Sequence, residues 1–217
     1  MNKIYYSFVA AALLLLSSGC NELRGIRGNR NITTDNRAVE AFTKLEASGA
    51  YDIEWTAGAP AIAITTDENL LPLIETEVDD GTLSISNRKR ISPTKGIKVK
   101  VSSPNLAGAE LTGATKFIGK AVNGSSFELT TTGASKVTLD GAVDSLDAEL
   151  TGASKLRAAA FQTRKADLNL TGASDAEVAV SGELSVSISG AGKVTYLGEP
   201  KILRQDIAGA GKIRKKD

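Results

Sequence analysis

The chain has 217 residues, of which 41% are hydrophobic and 24% are charged, a composition typical of a folded protein. It carries 26 basic against 25 acidic residues, so it lacks the positive charge of a nucleic-acid-binding protein, and it has no histidine to transfer protons at neutral pH. Cys20 is the single cysteine, which excludes an internal disulfide and a cysteine-rich metal site. We therefore expect no metal site, no cofactor, no catalytic residues and no nucleic-acid partner.

Residues 1–19 have the pattern of an export signal. Residues 1–3 provide a positive start, residues 4–16 form an apolar run, and small residues 17–19 precede Cys20. The run is shorter than the roughly 20 residues that span a bilayer as a helix, so we expect it to be removed. Small residues before a lone cysteine resemble the bacterial lipobox, although Ser17 stands where leucine is commonest.

This resemblance implies that Cys20 becomes the lipidated first residue of the mature protein; the alternative is a buried free cysteine in a signal helix. Asn21, in place of Asp, favours the outer membrane by the Gram-negative sorting rules, on either its periplasmic or its surface face. Residues 20–38 are polar and rich in Asn and Arg, which predicts the lipidated cysteine and a flexible tether. The arginines of this segment either contact anionic headgroups or are solvated linker charges: Arg24, Arg27, Arg30 and Arg37.

Residues 39–104 are interpreted as an N-terminal β part of the folded domain. Apolar and polar residues alternate over 45–55, 61–65, 82–86 and 97–102, which is typical of half-buried strands. The sequence Asp79-Asp80-Gly81 predicts a type I′ hairpin turn, and residues 67–71 predict a short helix limited by Pro72.

Residues 105–217 contain a short repeat built on Thr/Ser-Gly-Ala. Its glycines recur at nearly even intervals, and they are Gly113, Gly133, Gly152, Gly172, Gly190 and Gly209. A unit of that size cannot bury its own apolar face and must stack on its neighbours. The repeat therefore predicts an all-β fold, a right-handed single-stranded β-helix or β-solenoid with coils of about 19 residues and a glycine at each corner.

The same period predicts which side chains line up from coil to coil. Thr and Ser beside the glycines should form hydroxyl ladders. Aliphatic residues before the corners should form an interior ladder: Leu111, Leu129, Leu150, Leu170, Ile188 and Ile207. Lysines after the corners should form one outward row, interrupted by Asp175: Lys116, Lys136, Lys155, Lys193 and Lys212. This row is either a stripe that binds a polyanion or a solubilising surface that protects the edges of the solenoid, as are residues 214–217.

The order of these motifs resembles one protein family. Leu45-Glu-Ala-Ser-Gly-Ala, Asp67-Glu-Asn-Leu-Leu, Asp80-Gly-Thr-Leu and the repeated Thr-Gly-Ala-Ser units are similar to the putative auto-transporter adhesin head GIN domain family, from about residue 40 onward. The resemblance implies an exported, lipoprotein-like β-solenoid of Bacteroidetes-type bacteria, and it carries over no catalytic residue.

Three functions remain open at this point. The first is a membrane-anchored lipoprotein of the cell envelope whose solenoid binds a glycan or an envelope protein, as an adhesin would. The second is a polysaccharide-active β-helix enzyme, a lyase or hydrolase, which would need carboxylates and Lys or Arg clustered in one groove. The third is a passive structural or envelope-sensing module. Fold analogy alone does not choose among them.

Overall fold

The computed structural model describes residues 25–216, so the predicted export signal and Cys20 lie outside the described residues. The described chain is almost entirely β-structure, with stacked parallel coils that form a β-solenoid of about 5 turns. The predicted fold class is confirmed, and the right-handed sense stays a prediction. The strands are β1 (Ile26–Arg27), β2 (Ile32–Arg37), β3 (Lys44–Gly49), β4 (Asp52–Ala57), β5 (Ala61–Asp67), β6 (Ile74–Asp79), β7 (Thr82–Asn87), β8 (Ile91–Ser92), β9 (Lys98–Ser103), β10 (Gly108–Gly113), β11 (Lys116–Gly133), β12 (Lys136–Gly152), β13 (Lys155–Gly172), β14 (Asp175–Gly190), β15 (Lys193–Leu197), β16 (Lys201–Gly209) and β17 (Lys212–Lys215).

Two stacks of parallel strands meet at the glycine corners. On the face before the corner, the order is β7, β3, β10, β11, β12, β13, β14 and β16. On the face after the corner, the order is β9, β4, β11, β12, β13, β14, β15 and β17. The strands β11 to β14 occur in both stacks because each wraps from one corner to the next. The N-terminal β part and the repeats therefore form one continuous solenoid across residue 104.

Coils of different length keep their corners in register because the extra residues bulge elsewhere. The pairing of β11 with β12 shifts between Gly119 and Val122, and the pairing of β13 with β14 shifts between Ala158 and Gln162. At the corners, by contrast, Gly133 pairs with Gly152 without any shift. Bulges thus absorb the uneven repeat length away from the corners.

The interior consists of ladders of apolar side chains, as predicted, but one member of the predicted ladder is wrong. Leu150 and Leu170 are paired neighbours, whereas the partner of Leu150 in the preceding coil is Thr131 and not Leu129. Leu129 lies two residues earlier in the strand, in a second buried ladder beside Ala148. Ile207, at the outermost coil, is 46% exposed.

The N-terminal end of the stack is closed by antiparallel strands. β6 pairs with β7 and β5 with β9, so the edges of the first coil are covered. The predicted hairpin turn is confirmed, because Asp80 and Gly81 both have positive φ, 44° and 70°. The predicted short helix is present as a 3₁₀ helix over Glu68–Leu73, with Pro72 inside it.

The prediction of a flexible tether is wrong for residues 25–37. There β1 pairs with β8, and β2 pairs with β5 along all six of its residues. Asp67 is fully buried and holds this segment in place through hydrogen bonds of its carboxylate. Its Oδ1 accepts hydrogen bonds from Arg30 N at 2.7 Å and Thr94 Oγ1 at 2.8 Å, and its Oδ2 accepts one from Thr94 N at 2.8 Å.

The C-terminal end of the stack is not closed by antiparallel strands as the N-terminal end is. Within the described residues, no strand pairs with the outer side of β16 or β17. Nearly all of β16 is exposed, including Leu203. Charged residues such as Arg204 and Arg214 stand along these two strands, which is how natural sheets discourage edge-to-edge pairing.

Replacing Thr131 by valine should stabilise the protein. Among buried side-chain polar atoms of residues 25–216, only Thr131 Oγ1 lacks a hydrogen-bond partner. Valine has the same shape without the desolvated hydroxyl, so we expect the free energy of unfolding to rise by about 1 kcal/mol. Chemical denaturation measures this change. The matched control is Thr132→Val at the adjacent exposed position, and an equal gain in both variants would contradict the explanation.

The Asp67 carboxylate should make stability depend on acid pH. Burial by itself raises the pKa of this carboxyl, but the hydrogen bonds from Thr94 and Arg30 outweigh it and hold the pKa below its ordinary value. Its stabilising contribution is therefore complete above the unfolded-state pKa of about 3.9 and is lost as the pH falls through the lower folded-state value.

We expect Asp67→Asn to lower the melting temperature at pH 7, and the difference from the unmodified chain to shrink below about pH 4. Thermal unfolding followed by circular dichroism between pH 2 and 7 measures both. Asp144→Asn, at an exposed site, is the control. A difference that stays constant over this range would show that the carboxylate charge of Asp67 is irrelevant.

Candidate functional site

The corners form a continuous stack, and it contains one glycine more than the repeat predicted. Gly49 pairs with Gly113, so it begins the stack that continues through the six predicted corner glycines. Each alanine after a corner donates its N–H to the glycine carbonyl of the preceding coil, as Ala134 does to Gly113 O at 2.8 Å and Ala153 to Gly133 O at 2.8 Å. The corners are thereby fastened to one another along the whole solenoid.

Glycine is required at these corners for two reasons, which Gly152 illustrates. Its φ is +106°, a conformation that side chains disfavour. A Cβ atom built on it would lie 2.3 Å from Gly133 O, the same carbonyl that accepts the hydrogen bond from Ala153. The close approach of the coils and the backbone angle therefore both exclude a side chain.

A hydroxyl ladder runs behind the corners, as predicted for the residues after the glycines. Thr115, Ser135, Ser154 and Ser174 are all buried. The hydroxyl of each serine accepts a hydrogen bond from the backbone N–H of the preceding member at 3.3 to 3.4 Å. Gly192 stands at the next position, so the ladder ends at Ser174. This ladder is internal and is not available to a ligand.

The predicted lysine row is on the face after the corner, in the predicted order. Lys116, Lys136 and Lys155 are consecutive partners; Asp175 follows, and then come Lys193 and Lys212. The row also continues toward the N-terminal end through Asp52 and Lys98. All of the lysines are exposed. We call this surface the basic flank, together with Arg157 and Arg214 of the neighbouring outward row.

Ion pairs divide the basic flank into neutralised and uncompensated positions. Lys116 lies 3.1 Å from Asp52, and Lys155 lies 3.4 Å from Asp175. In the described part of the chain no salt bridge involves Lys98, Lys136, Lys193, Lys212, Arg157 or Arg214. Three of these six uncompensated charges lie in the last coils, at Lys193, Lys212 and Arg214.

A shallow groove follows the basic flank at its C-terminal end. Its volume is about 430 Å³, and Lys155, Arg157, Lys193 and Arg214 contribute to its lining. Two carboxylates also line it, but Asp175 is bridged to Lys155 and Glu177 is bridged to Lys216 at 2.7 Å. The groove is thus a mostly cationic surface with its acids already paired.

The face before the corner carries the opposite charge, which the predictions from sequence did not include. Glu128, Asp147 and Asp167 are consecutive partners in one outward row. Glu46, Glu110 and Glu149 lie in the row beside it. The signal was available, because the first three acids recur with the same spacing as the glycines. We call these two rows the acidic flank.

The acids of this flank influence one another. Desolvation raises the pKa of the Asp147 carboxyl, and the negative charges of Asp167, Glu128 and Glu149 raise it further. At the ends of its row, Lys44 pairs with Glu128 at 2.8 Å and Arg204 with Asp167 at 3.5 Å. The two flanks therefore present opposite potentials on either side of a single corner.

Neither a metal cluster nor a membrane-spanning helix occurs over residues 25–216. These residues contain no group of three or more Asp, Glu, Cys or His side chains arranged to hold a metal ion. None of their helices is long and apolar enough to cross a membrane.

Several solved structures of bacterial proteins have the same fold. A putative adhesin of Bacteroides fragilis is 20% identical with a TM-score of 0.69, and the match covers 88% of this chain and 100% of that one. A putative adhesin of Parabacteroides merdae is 18% identical with a TM-score of 0.56, covering 88% and 99%. A protein of Parabacteroides distasonis, described as a putative lipid binding protein, is 24% identical with a TM-score of 0.55 and the same coverage.

The comparison with curated proteins gave no significant match. The sequence profile described as "Putative auto-transporter adhesin, head GIN domain" matches residues 41–200, which runs from just before β3 to the loop before β16. This range contains the corner stack from Gly49 to Gly190 and most of both flanks. The chain therefore belongs to the putative auto-transporter adhesin family with a head GIN domain.

Proposed function

We propose that this protein is an exported, lipid-anchored module of the cell envelope, in the outer membrane, that binds an extended anionic partner along its basic flank and is not an enzyme. The single observation that carries the proposal is that unpaired lysines of the basic flank are aligned on consecutive coils. Lys193 and Lys212 pair on consecutive coils, at the usual strand spacing of about 4.8 Å, and neither has an ion-pair partner in the described part of the chain.

The spacing of these cations suits a polymer better than a compact ligand. Charges repeated along the stack can contact successive acidic groups of a polysaccharide chain, and each contact adds to the same interaction. The acidic flank on the other side of the corner repels such a polymer and so confines it to the basic flank. An acidic glycan of the envelope or of another cell fits these requirements.

The alternative of a polysaccharide-active enzyme has less support. The groove does bring Asp175 and Glu177 together with Lys and Arg, as that hypothesis requires. Each of these carboxylates is engaged in a salt bridge, however, so neither is free to act as a general base. The relatives described as adhesins also favour binding over catalysis.

The direction of the stack supports the anchored arrangement. The described chain begins at the capped end, where β1 pairs with β8 beside the first coil. The groove on the basic flank is at the other end, on β13 to β17. Eight strands stack from one end to the other on the face after the corner, a length of about 34 Å at the usual strand spacing, and the groove begins at the fifth of them, about 19 Å from the first. An anchor at Cys20 would therefore hold the groove away from the membrane surface.

Neutralising the basic flank should weaken binding to an anionic polysaccharide. We expect Lys193→Gln with Lys212→Gln to reduce affinity for polygalacturonate about tenfold, because two surface charges of roughly 0.7 kcal/mol each are lost. Neutral dextran should not bind either protein. Biolayer interferometry at two salt concentrations measures the affinities.

The matched control is Lys89→Gln with Lys95→Gln, which removes the same charge from the loops on either side of β8 at the capped end. An equal loss of affinity in the control pair would mean that net charge, and not the register of the flank, attracts the polymer. The absence of any binding to polygalacturonate by the unmodified protein would reject an acidic polysaccharide of this type.

Replacing Cys20 by alanine should abolish lipidation. Attachment of more than one acyl chain gives stable anchoring, at about 0.8 kcal/mol per buried CH₂ group. We expect metabolic palmitate label to be lost from the Cys20→Ala variant and the protein to leave the outer-membrane fraction. Label that persists in the variant would show that Cys20 is not the attachment site.

A further inference from the structure

A second cluster of cations lies at the capped end, and the proposed polymer binding does not involve it. Arg27, Arg30 and Arg90 line one pocket of about 800 Å³, together with Ser92 and Thr94. The lining contains no acidic residue. All three arginines are exposed, and no hydrogen bond or salt bridge of their guanidinium groups occurs within the described residues. We call this surface the arginine pocket.

The structure separates Arg27 and Arg30 from Arg37, which the sequence grouped with them. Arg37 is committed to the fold, because its guanidinium donates to Ile74 O at 2.8 Å and Leu71 O at 3.0 Å and lies 2.7 Å from Asp35. Arg90, more than fifty residues later in the sequence, takes its place beside Arg27 and Arg30. Folding therefore concentrates three uncommitted guanidinium groups at one site.

The backbone that carries the pocket is held in place before any ligand arrives. Ile26 N donates to Arg90 O at 2.8 Å and Gly28 N to Ser92 O at 3.1 Å, which fixes the two sides of the pocket to each other. Asp67 binds the backbone N–H groups of Arg30 and Thr94 from beneath. Arg30 has a φ of +69°, a conformation that is uncommon outside glycine and that this carboxylate helps to maintain.

A cluster of guanidinium groups without carboxylate partners selects an oxyanion, and arginine binds phosphate, like carboxylate, with two parallel hydrogen bonds. Phosphate is the oxyanion that a membrane surface offers in quantity. The source of the phosphate follows from the position of the pocket in the chain. Gly25 lines the pocket and is five residues from Cys20, a segment that can span at most about 18 Å. A lipidated Cys20 therefore keeps the pocket next to the headgroups of the membrane.

We infer that the arginine pocket binds the phosphate of an anionic membrane phospholipid. This inference rests on the proposed anchoring through Cys20, which supplies the argument for proximity. The acyl chains then hold the protein in the bilayer, while the pocket contacts a headgroup and sets the direction in which the solenoid leaves the membrane. Juxtamembrane basic residues attract anionic lipids in the same way.

The experiment uses the chain from residue 20 with Cys20→Ser, which keeps every described residue and has no lipid of its own. We measure its partitioning by co-sedimentation, onto vesicles of phosphatidylcholine alone and onto vesicles in which phosphatidylglycerol replaces one third of that lipid. Binding is expected only with phosphatidylglycerol, and it should weaken as salt increases. The triple variant Arg27→Gln, Arg30→Gln, Arg90→Gln should lower the partition coefficient about 100-fold, because it removes three positive charges near the membrane surface.

The matched control removes three exposed cations from the opposite end of the stack, with Arg164→Gln, Lys165→Gln and Lys201→Gln. It should change the partition coefficient less than threefold. Melting temperatures by circular dichroism confirm that both triple variants are folded, as expected for exposed side chains. An equal loss in both variants, or no binding of the unmodified chain to phosphatidylglycerol vesicles, would overturn the inference.

Inorganic phosphate separates a lipid headgroup from a soluble ligand. Isothermal titration with phosphate should give weak binding, in the millimolar range, that the pocket variant loses. Tight phosphate binding without vesicle binding would instead assign the pocket to a soluble phosphate compound and reject the lipid. Because the tested chain carries no acyl group, its vesicle binding succeeds or fails independently of palmitate labelling at Cys20 and of polysaccharide binding by the basic flank.

Discussion

The contact between successive corners is the constraint that organises this molecule. Each corner alanine donates its N–H to the glycine carbonyl one coil below, at 2.8 to 2.9 Å, and this approach leaves no space for a Cβ atom on the glycine. The corners therefore cannot slide past one another. Residues at a fixed distance from a corner are consequently brought into line, whether they point inward or outward.

This alignment turns an ordinary overall charge into strongly patterned surfaces. The chain is close to neutral, yet the basic and acidic flanks lie on opposite sides of the same corner. Side chains that are one repeat apart in the sequence become neighbours at about 4.8 Å in space. A solenoid can in this way present an extended partner with a repeated charge that no short segment of the chain contains.

The two ends of the stack are not equivalent, and this polarity connects the two proposed contacts. Antiparallel strands close the end where the described chain begins, and the arginine pocket lies there. The groove on the basic flank lies on the last coils, where no further strand covers the edge within the described residues. A phospholipid contact at the first end and a polymer contact at the other would place the solenoid between the membrane and its partner.

The repeating part of this protein is predictable from its amino-acid sequence, whereas the interruptions of the repeat are not. Each corner needs glycine for both its φ angle and its close packing, so glycine recurs at regular intervals in the sequence. This period predicts the six corners, the order of the lysine row and a buried aliphatic interior. The register within a strand is less secure. Leu129 and Leu150 both precede a corner, but strand positions two residues apart face the same side, and Thr131 is the residue that lies beside Leu150.

Gly49 lies more than three repeat lengths before Gly113, so the intervening strands hide the periodic relation between the two glycines in the sequence. Residues 25–37 have little apolar periodicity of their own and are ordered by distant partners, chiefly Asp67 and the strand β5. The arginine pocket arises in the same way. It depends on which distant segments of the chain fold against each other, and no local sequence pattern predicts that.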